Sequence, residues 1–483
     1  MLPFQGSIRR GVLRILVPAL TSSAVAAGAQ NEPAYPRLAN MYLHGWVNPS
    51  ALEPLAQWDL LILNTVWTEA DLQRLRVLNP DIRIFQYVCP YCVESPPNPA
   101  DPWKQQNFAY AADNDLWWYD IRGDIAADWP GSRMVNITEL GGSGPRGTWR
   151  EYIAQRIEEL VFARPSLDGV FLDNYWRQLS WNQDNLQLES DCNPTHDPLR
   201  CDGVMDADAD LDSLWNRALR VLVDDVGARL DVLEAQRDRP LAILSNRASD
   251  YFPWLNGTLY EFFPSGWSNV DPGNPFGYNW YQEMLAVPEG YLVAPFSADP
   301  YRVQVINADW TGTPEQPDRS PDFERHKRFT LVSSLLGDGY YSLDAGDQTG
   351  HGALWWEPEY DHAGRGKGYL GRPLGAMYSV ALPAGPELLA NGDFTAGTTG
   401  WSSLVWQSVG SFDADTSEFR SPPAAARIRV QSITSDGGHF KVWQSPIAVR
   451  DGVGYTLRFW ARASHEQDLL VHLYGDGCPG NRC

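Results

Sequence analysis

From Leu38 to about Ser379, short apolar stretches alternate with helical ones, and this alternation limits the chain to a small set of folds. The candidate strands are Ala39–Leu43, Leu60–Asn64, Arg83–Val88, Gly169–Leu172, Leu241–Leu244, Thr258–Phe262, Tyr291–Ala294 and Gly339–Ser342. Each is brief and largely apolar, as expected for strands covered on both faces. Between them fall helical patterns at Glu69–Leu78, Trp149–Phe162, Leu211–Gln236, Tyr278–Ala286 and Pro321–Leu336. Thr68-Glu-Ala-Asp71 supplies an N-terminal cap for the first of these. Eight strands with intervening helices fit an α/β fold, the (β/α)8 TIM barrel with long loops. An open doubly wound sheet is the rival. A Gly-rich phosphate loop after the first strand would favour it, and the sequence has none.

The chain has 483 residues, too many for one ordinary domain. The pattern changes around Leu382-Pro-Ala-Gly-Pro386. From Glu387 it becomes short alternating strands at Val405–Phe412, Ala426–Val430, Phe440–Gln444, Tyr455–Ala461 and Leu469–Leu473, as in an all-β, jelly-roll-like sandwich. A jelly roll has eight strands, so either this sheet is small or the chain as given stops inside the domain. The expected organisation is a signal peptide over 1–30, a barrel over 36–380 and a partial β-sandwich over 387–483.

Arg9 and Arg10 followed by the mainly apolar Gly11 to Leu20, and small residues at Ala24-Val25-Ala26 or Ala27-Gly28-Ala29, resemble an export leader, although Arg14 interrupts the apolar stretch. No later segment approaches the roughly 18 apolar residues of a membrane helix. A secreted or periplasmic protein is therefore expected. Six cysteines suit an oxidising compartment: Cys192 and Cys201 bracket a polar loop, and Cys478 and Cys483 could close another. Cys89-Pro-Tyr-Cys92 has redox-motif spacing but follows a strand and precedes a proline-rich run, so a loop disulfide or free thiols is the plain reading. Asn136-Ile-Thr138 and Asn256-Gly-Thr258 match glycosylation sequons. The formal charge of −22 repels phosphate backbones, which argues against a nucleic-acid partner. The 21 tryptophans suit a core and, for a minority of them, a sugar-stacking surface.

Leu167-Asp-Gly-Val-Phe-Leu-Asp-Asn-Tyr-Trp176 carries the chemistry. Apolar residues lead to Asp173 and Asn174, then to Tyr175 and Trp176. In a parallel barrel the C-terminal strand ends hold the active site, so this run places an acid and an aromatic shelf there. Glycoside hydrolysis needs two carboxyl groups flanking one bond. The second candidate is Glu261 in Thr258-Leu-Tyr-Glu-Phe-Phe263, where apolar neighbours would raise its pKa and suit it to a general acid. Asp344 could replace either acid, bind a sugar hydroxyl or cap a helix. His44, beside Gly45 and Trp46, could donate to a hydroxyl or satisfy backbone groups. Asn246 and Arg247 end the fifth strand as plausible hydroxyl ligands, and Tyr87, Asn174, Tyr175 and Trp176 belong to the same rim. The inserts Cys89 to Thr148 and Arg177 to Asp210 would lie on that face. Asp206-Ala-Asp-Ala-Asp210-Leu-Asp212 lacks the turn Gly and final Glu of a calcium loop and fits an acidic helix start instead. No metalloprotease histidine pair or Gly-x-Ser-x-Gly elbow is present, and no metal or cofactor is expected.

The runs "LDGVFLDNYW", "GTLYEFFP", "RFTLVSSLLGDGYYSLD" and "WWEPEYD…YLGRPLG" resemble the hypothetical glycoside-hydrolase-like group placed among TIM-barrel glycosidases, over roughly residues 36 to 380. That resemblance implies a glycosidase-type barrel and leaves the sugar open. "ELLANGDFTAGTTGW" through "YTLRFWARAS" resembles a family 4/9-like jelly-roll carbohydrate-binding module, with its final strands missing. The leading expectation is an exported glycoside hydrolase acting on a poly- or oligosaccharide through Asp173 and Glu261. The alternatives are a non-catalytic glycan-binding surface protein, or a lyase or transglycosylase.

Overall fold

The computed structural model describes residues 33–175, 178–237, 239–247, 253–264, 280–346, 351–374, 387–406, 408–419, 424–432, 440–448, 457 and 463–464. These fall into two compact units, one holding the barrel and one holding residues 387 onward. Residues 1–32, where a leader is expected, and the aromatic Trp176 lie outside the described residues.

Eight parallel strands form one sheet in chain order: β1 (Ala39–Tyr42), β2 (Leu60–Leu63), β3 (Arg83–Val88), β4 (Gly169–Leu172), β5 (Ala242–Asn246), β6 (Gly257–Tyr260), β7 (Val305–Asp309) and β8 (Tyr340–Asp344). A parallel bridge between Leu38 and Tyr341, with the Tyr341 amide donating to the Arg37 carbonyl at 2.9 Å, brings β8 back to the start of β1 and closes the ring. The expected (β/α)8 barrel is therefore present. The helices that cover it include α1 (Glu69–Leu78), α2 (Pro102–Asp113), α3 (Trp149–Ala163), α4 (Asp208–Arg237), α5 (Trp280–Leu285) and α6 (Pro321–Leu335). Thr68 with Asp71, and Thr148 with Glu151, form reciprocal capping boxes that satisfy the first free amides of α1 and α3. Asp208 and Asp210 occupy the first turn of α4, where the helix dipole favours negative charge.

Strand seven differs from the sequence reading. Tyr291–Ala294 is a turn, and the seventh strand is Val305–Asp309. The apolar Tyr291-Leu-Val-Ala stretch packs in the layer between sheet and helices, with the Tyr291 hydroxyl on the Ser334 carbonyl at 2.8 Å. The true strand was hidden because two of its five residues, Asn307 and Asp309, are polar.

Two apolar layers result. The barrel interior holds Ala39, Met41, Leu60, Ile62, Phe85, Phe171, Ala242, Leu244, Leu259, Val303, Val305 and Tyr340. A larger layer joins the outer strand faces to the helices, anchored by fully buried Trp67, Trp118, Trp149 and Trp215. Most of the described tryptophans therefore pack in or against this layer. Gly169 and Gly257 admit no side chain: a Cβ would sit 1.8 Å from the Ala242 carbonyl oxygen and 1.2 Å from that of Val303.

Disulfides join Cys89 to Cys92 and Cys192 to Cys201. Both sequon asparagines are buried and bonded inside the fold, Asn136 to the Ser190 carbonyl at 2.8 Å and Asn256 from the Ile243 amide at 2.8 Å, so neither side chain is offered to a glycosylating enzyme. No helix among the described residues is long and apolar enough to cross a membrane. In the second unit, β9 (Ser402–Val405) pairs antiparallel with β12 (Phe440–Trp443), and β10 (Val409–Asp415) with β11 (Ala425–Ser432). The single strand expected over Val405–Phe412 is thus split between two pairs. Leu469–Leu473, and all of Tyr455–Ala461 but Leu457, lie outside the described residues.

Candidate active site

Side chains alternate across a strand, so the apolar interior residues fix which later positions also face inward. Leu259 leads to Glu261, Phe171 to Asp173, Leu244 to Asn246, Phe85 to Tyr87, Val305 to Asn307 and Asp309, and Tyr340 to Ser342 and Asp344. Each strand therefore changes from apolar to polar on one face as it approaches its C-terminal end. The ladder continues past the strand ends: the Asp173 amide donates to the Val88 carbonyl at 2.9 Å, and the Phe263 amide to that of Asn307 at 2.9 Å. Asn174, Arg247 and Phe262, each directly after one of these polar residues, take left-handed backbone with φ of 54°, 46° and 55°. Such conformations cost of order 1–3 kcal/mol and concentrate at functional sites. Here they turn the chain away immediately after Asp173, Asn246 and Glu261.

The two acids meet at one amide. Asn246 Nδ2 donates to Asp173 Oδ1 at 3.1 Å and to Glu261 Oε2 at 2.7 Å. The accepting oxygens are no farther apart than these two bonds end to end, inside about 6 Å, which is nearer the retaining than the inverting spacing of glycosidase carboxyl pairs. The Tyr87 hydroxyl donates to Asp173 Oδ2 at 2.5 Å. Asp173 is 8% exposed and Glu261 4%. Burial, and then the charge of Glu261, push the Asp173 carboxyl up to about 6, against the pull of the Tyr87 and Asn246 hydrogen bonds. The same burial and the Asp173 charge hold the Tyr87 phenol well above its ordinary range, so it stays a donor.

A buried acid at the opposite end of β4 supplies the contrast. Asp168, just before that strand, is clamped by Arg76 and Arg239, each at 2.6 Å. An acid neutralised by two guanidiniums is a structural fastener. The side-chain donors to Asp173 are a phenol and an amide, which orient a carboxylate without cancelling its charge.

Beyond the pair, His351 Nε2 lies 3.2 Å from Glu261 Oε1, and its Nδ1 lies 3.3 Å from Asp344 Oδ2. Asp344 is fully buried, accepts from the Gly346 amide at 2.7 Å and from Asn307 Nδ2 at 3.3 Å, and so supports the site from below. Asp309 is raised to about 7 by burial and then by the Asp344 charge, with His351 pulling it down. Arg247 binds the Glu261 carbonyl at 2.6 Å and the Glu283 carboxylate of α5 at 2.7 Å, which spends its charge on holding the strand end. His44 packs over Gly352, where a Cβ would fall 2.1 Å from its Nε2, and burial lowers its pKa. Trp46, 60% exposed, stacks on His44 with ring centroids 4.7 Å apart.

The structure thus brings together Tyr87, Asp173, Asn246, Arg247, Glu261 and Asp344. Asn174 stands beside them, its amide 3.9 Å from Cys89 Sγ. Tyr175 goes elsewhere: it is fully buried and its hydroxyl donates to the Leu219 carbonyl of α4 at 3.1 Å, so the expected rim position is corrected to a packing one. Side-chain parity explains this, since Tyr175 follows a left-handed residue that breaks the alternation. Sequence reasoning missed Asn307 and Asp309 with the misplaced strand, Glu283 on its helix, and His351. A correct β7 would have revealed the first two by parity. His351 comes from a loop and carries no periodic signal.

A family model described as hypothetical glycosyl hydrolase family 15 matches residues 76–397. A comparison with curated proteins found no match. Among solved structures, a family GH18 chitinase from Chromobacterium violaceum is 11% identical, with a TM-score of 0.27, over 48% of this chain and 37% of its own. A family GH18 N-acetylglucosaminidase from Paenibacillus barengoltzii is 12% identical, with a TM-score of 0.27, over 57% of this chain and 68% of its own. A cycloalternan-degrading enzyme from Trueperella pyogenes is 12% identical, with a TM-score of 0.34, over 63% of this chain and 42% of its own. Likenesses at this level carry no argument about substrate or site.

Proposed function

The chain belongs to hypothetical glycosyl hydrolase family 15, and from that premise we propose that it hydrolyses the O-glycosyl bond of a poly- or oligosaccharide with Asp173 and Glu261 as its two catalytic acids. The observation that carries this reading is the single Asn246 amide shared by both carboxyls. Two acids held this close cannot both ionise easily, so one group acts as acid while the other acts as anion.

Asp173, which accepts from both Tyr87 and Asn246, is suited to the anion. In the proposed first step it attacks the anomeric carbon while Glu261 gives its proton to the departing oxygen, leaving a glycosyl-enzyme ester and a free hydroxyl. In the second, Glu261 takes a proton from water as the water oxygen displaces Asp173. Both steps balance with no co-reactant besides water, and the spacing supports net retention. Trp46 offers an exposed ring to a sugar face. The leader-like N-terminus and the two disulfides support action outside the cytoplasm, and the second unit is proposed as a glycan-holding module that raises local substrate concentration.

The test is release of reducing ends from a polysaccharide panel by the full chain, with the anomer of the first product read by NMR. Asp173→Asn and Glu261→Gln should each cut turnover by at least 10³-fold with the fold retained. Unchanged turnover in either variant would remove that residue from the mechanism. Binding without cleavage by the parent chain would favour a glycan-binding protein instead.

A further inference from the structure

His351 sits in a loop after β8, yet both its ring nitrogens face carboxylates from different strands: Nε2 to Glu261 at 3.2 Å and Nδ1 to Asp344 at 3.3 Å. A neutral imidazole has one N–H and one lone pair. With both carboxylates ionised, a neutral ring would aim its lone pair at an anion. The arrangement therefore requires one proton beyond the neutral ring and two carboxylates, held by one of these three groups.

Asp344 is the poorest place for that proton. Oδ1 accepts the Gly346 amide at 2.7 Å, and Oδ2 accepts Asn307 Nδ2 at 3.3 Å, so both oxygens already take donors as carboxylate oxygens do. His351 then donates Nδ1–H to Asp344, and the extra proton lies between Nε2 and Glu261. On one side of that gap the pair is imidazolium and carboxylate. On the other it is neutral imidazole and carboxylic acid. These are the base and acid forms that a general acid/base alternates between.

We propose that His351, oriented by Asp344, is a positioning residue that shares a single proton with Glu261 and so holds Glu261 ready to act as acid and then as base. The proposal rests on the hydrolase reading for its catalytic consequence, but not for the proton sharing itself. No bond other than N–H and O–H is made or broken: the proton leaves Nε2 for Glu261 as Glu261 protonates the leaving oxygen, and it returns when Glu261 accepts the proton of the attacking water. Among the described residues, the other titratable or charged groups around the dyad include Asp309, Asp173 through Asn246, Tyr87 on Asp173, Arg247 on the Glu261 carbonyl, and His44 over Gly352. The Phe262 ring, 6.5 Å from that of His351, adds an apolar wall. Asp309 and Asp173 are anionic when ionised and both favour keeping the proton in the dyad.

The test needs no substrate. The full chain is labelled with 15N-histidine, the His351 signals are assigned by their loss in His351→Gln, and the imidazole is titrated between pH 5 and 9 alone and in the Glu261→Gln background. Sharing predicts that past pH 7 Nδ1 of the parent chain stays protonated while the Nε2 signal lies between its protonated and bare values, and that Nε2 reaches the bare value at least one pH unit earlier when Glu261 is an amide. An Nε2 already at the bare value at pH 6, or one whose titration ignores Glu261→Gln, would overturn the proposal. The catalytic consequence is read separately. His351→Gln keeps an N–H for Glu261 but cannot be protonated, so against an unactivated glycoside the alkaline limb of kcat/KM should move down by about one unit, with much less effect on a dinitrophenyl glycoside. A uniform drop with an unmoved pH profile would overturn that consequence and leave His351 a purely structural contact. Full turnover in Asp173→Asn would instead sink the hydrolase reading and leave the proton measurement to decide on its own.

Discussion

Replacing Glu261 by Gln should lower the pKa of Asp173, and the size of the fall follows from the site. The two carboxyls share the Asn246 amide through bonds of 3.1 and 2.7 Å. At a separation of about 6 Å and an effective dielectric near 20, one unit charge disfavours another by roughly 3 kcal/mol. That corresponds to about 2 pKa units at 1.36 kcal/mol each. Burial, the larger cause of the upward shift, persists in the variant, as do the Tyr87 and Asn246 donors. Asp173 should therefore fall from about 6 by about 1–2 units. The assay is 13C NMR of carboxyl-labelled aspartate in the full chain, with the Asp173 signal assigned by its absence in Asp173→Asn. An Asp173 that still titrates near pH 6 in the Glu261→Gln chain would refute the claim that the pair shares one field, and with it the division of roles between acid and anion.

Asp309→Asn should stabilise the fold at pH 8 and not at pH 4. The folded carboxyl, at about 7 against an ordinary 3.8, holds its proton more tightly than the unfolded chain, so its contribution is present below pH 4 and lost as pH rises through 7. Three units set an upper bound of roughly 4 kcal/mol, to be read as the difference between urea unfolding midpoints at the two pH values. Asn246→Ala should leave two carboxyls facing each other without their common donor and cut kcat/KM by about 10²–10³, as for loss of a preorganised active-site donor, while circular dichroism stays unchanged. Opening the Cys192–Cys201 link by a double Ser substitution should cost about 2–3 kcal/mol for so short a loop, measured as a drop in Tm under non-reducing conditions. Trp46→Ala should raise KM for a long oligosaccharide several-fold and leave KM for an aryl monosaccharide unchanged.

The legible part of the site was the part written along strands. Asp173 and Glu261 stand out because a charge ends an otherwise apolar run, and burying it there is expensive unless a site uses it. Asn246 and Arg247 were visible as polar residues that end an apolar strand. Val305–Asp309 was not, because alternation into the polar mouth gave it the composition of a loop, while the more apolar Tyr291–Ala294 imitated a strand and serves as packing. Tyr175 was misjudged because one left-handed residue, Asn174, reverses the side on which the next side chain emerges.

Sequence alone determined the barrel, since short apolar strands separated by helices bury both sheet faces in few ways, and it determined that three of the strand ends carry Asp173, Glu261 and Asp344. Only the tertiary structure decided which of those acids face one another. That choice depends on closure of the ring, on register between strands far apart in the chain, and on a loop histidine carried in beside Glu261 and Asp344. Contacts between distant segments have no period for a sequence to display, so the shared amide of Asn246 and the two-sided seat of His351 emerge only when the ring is closed.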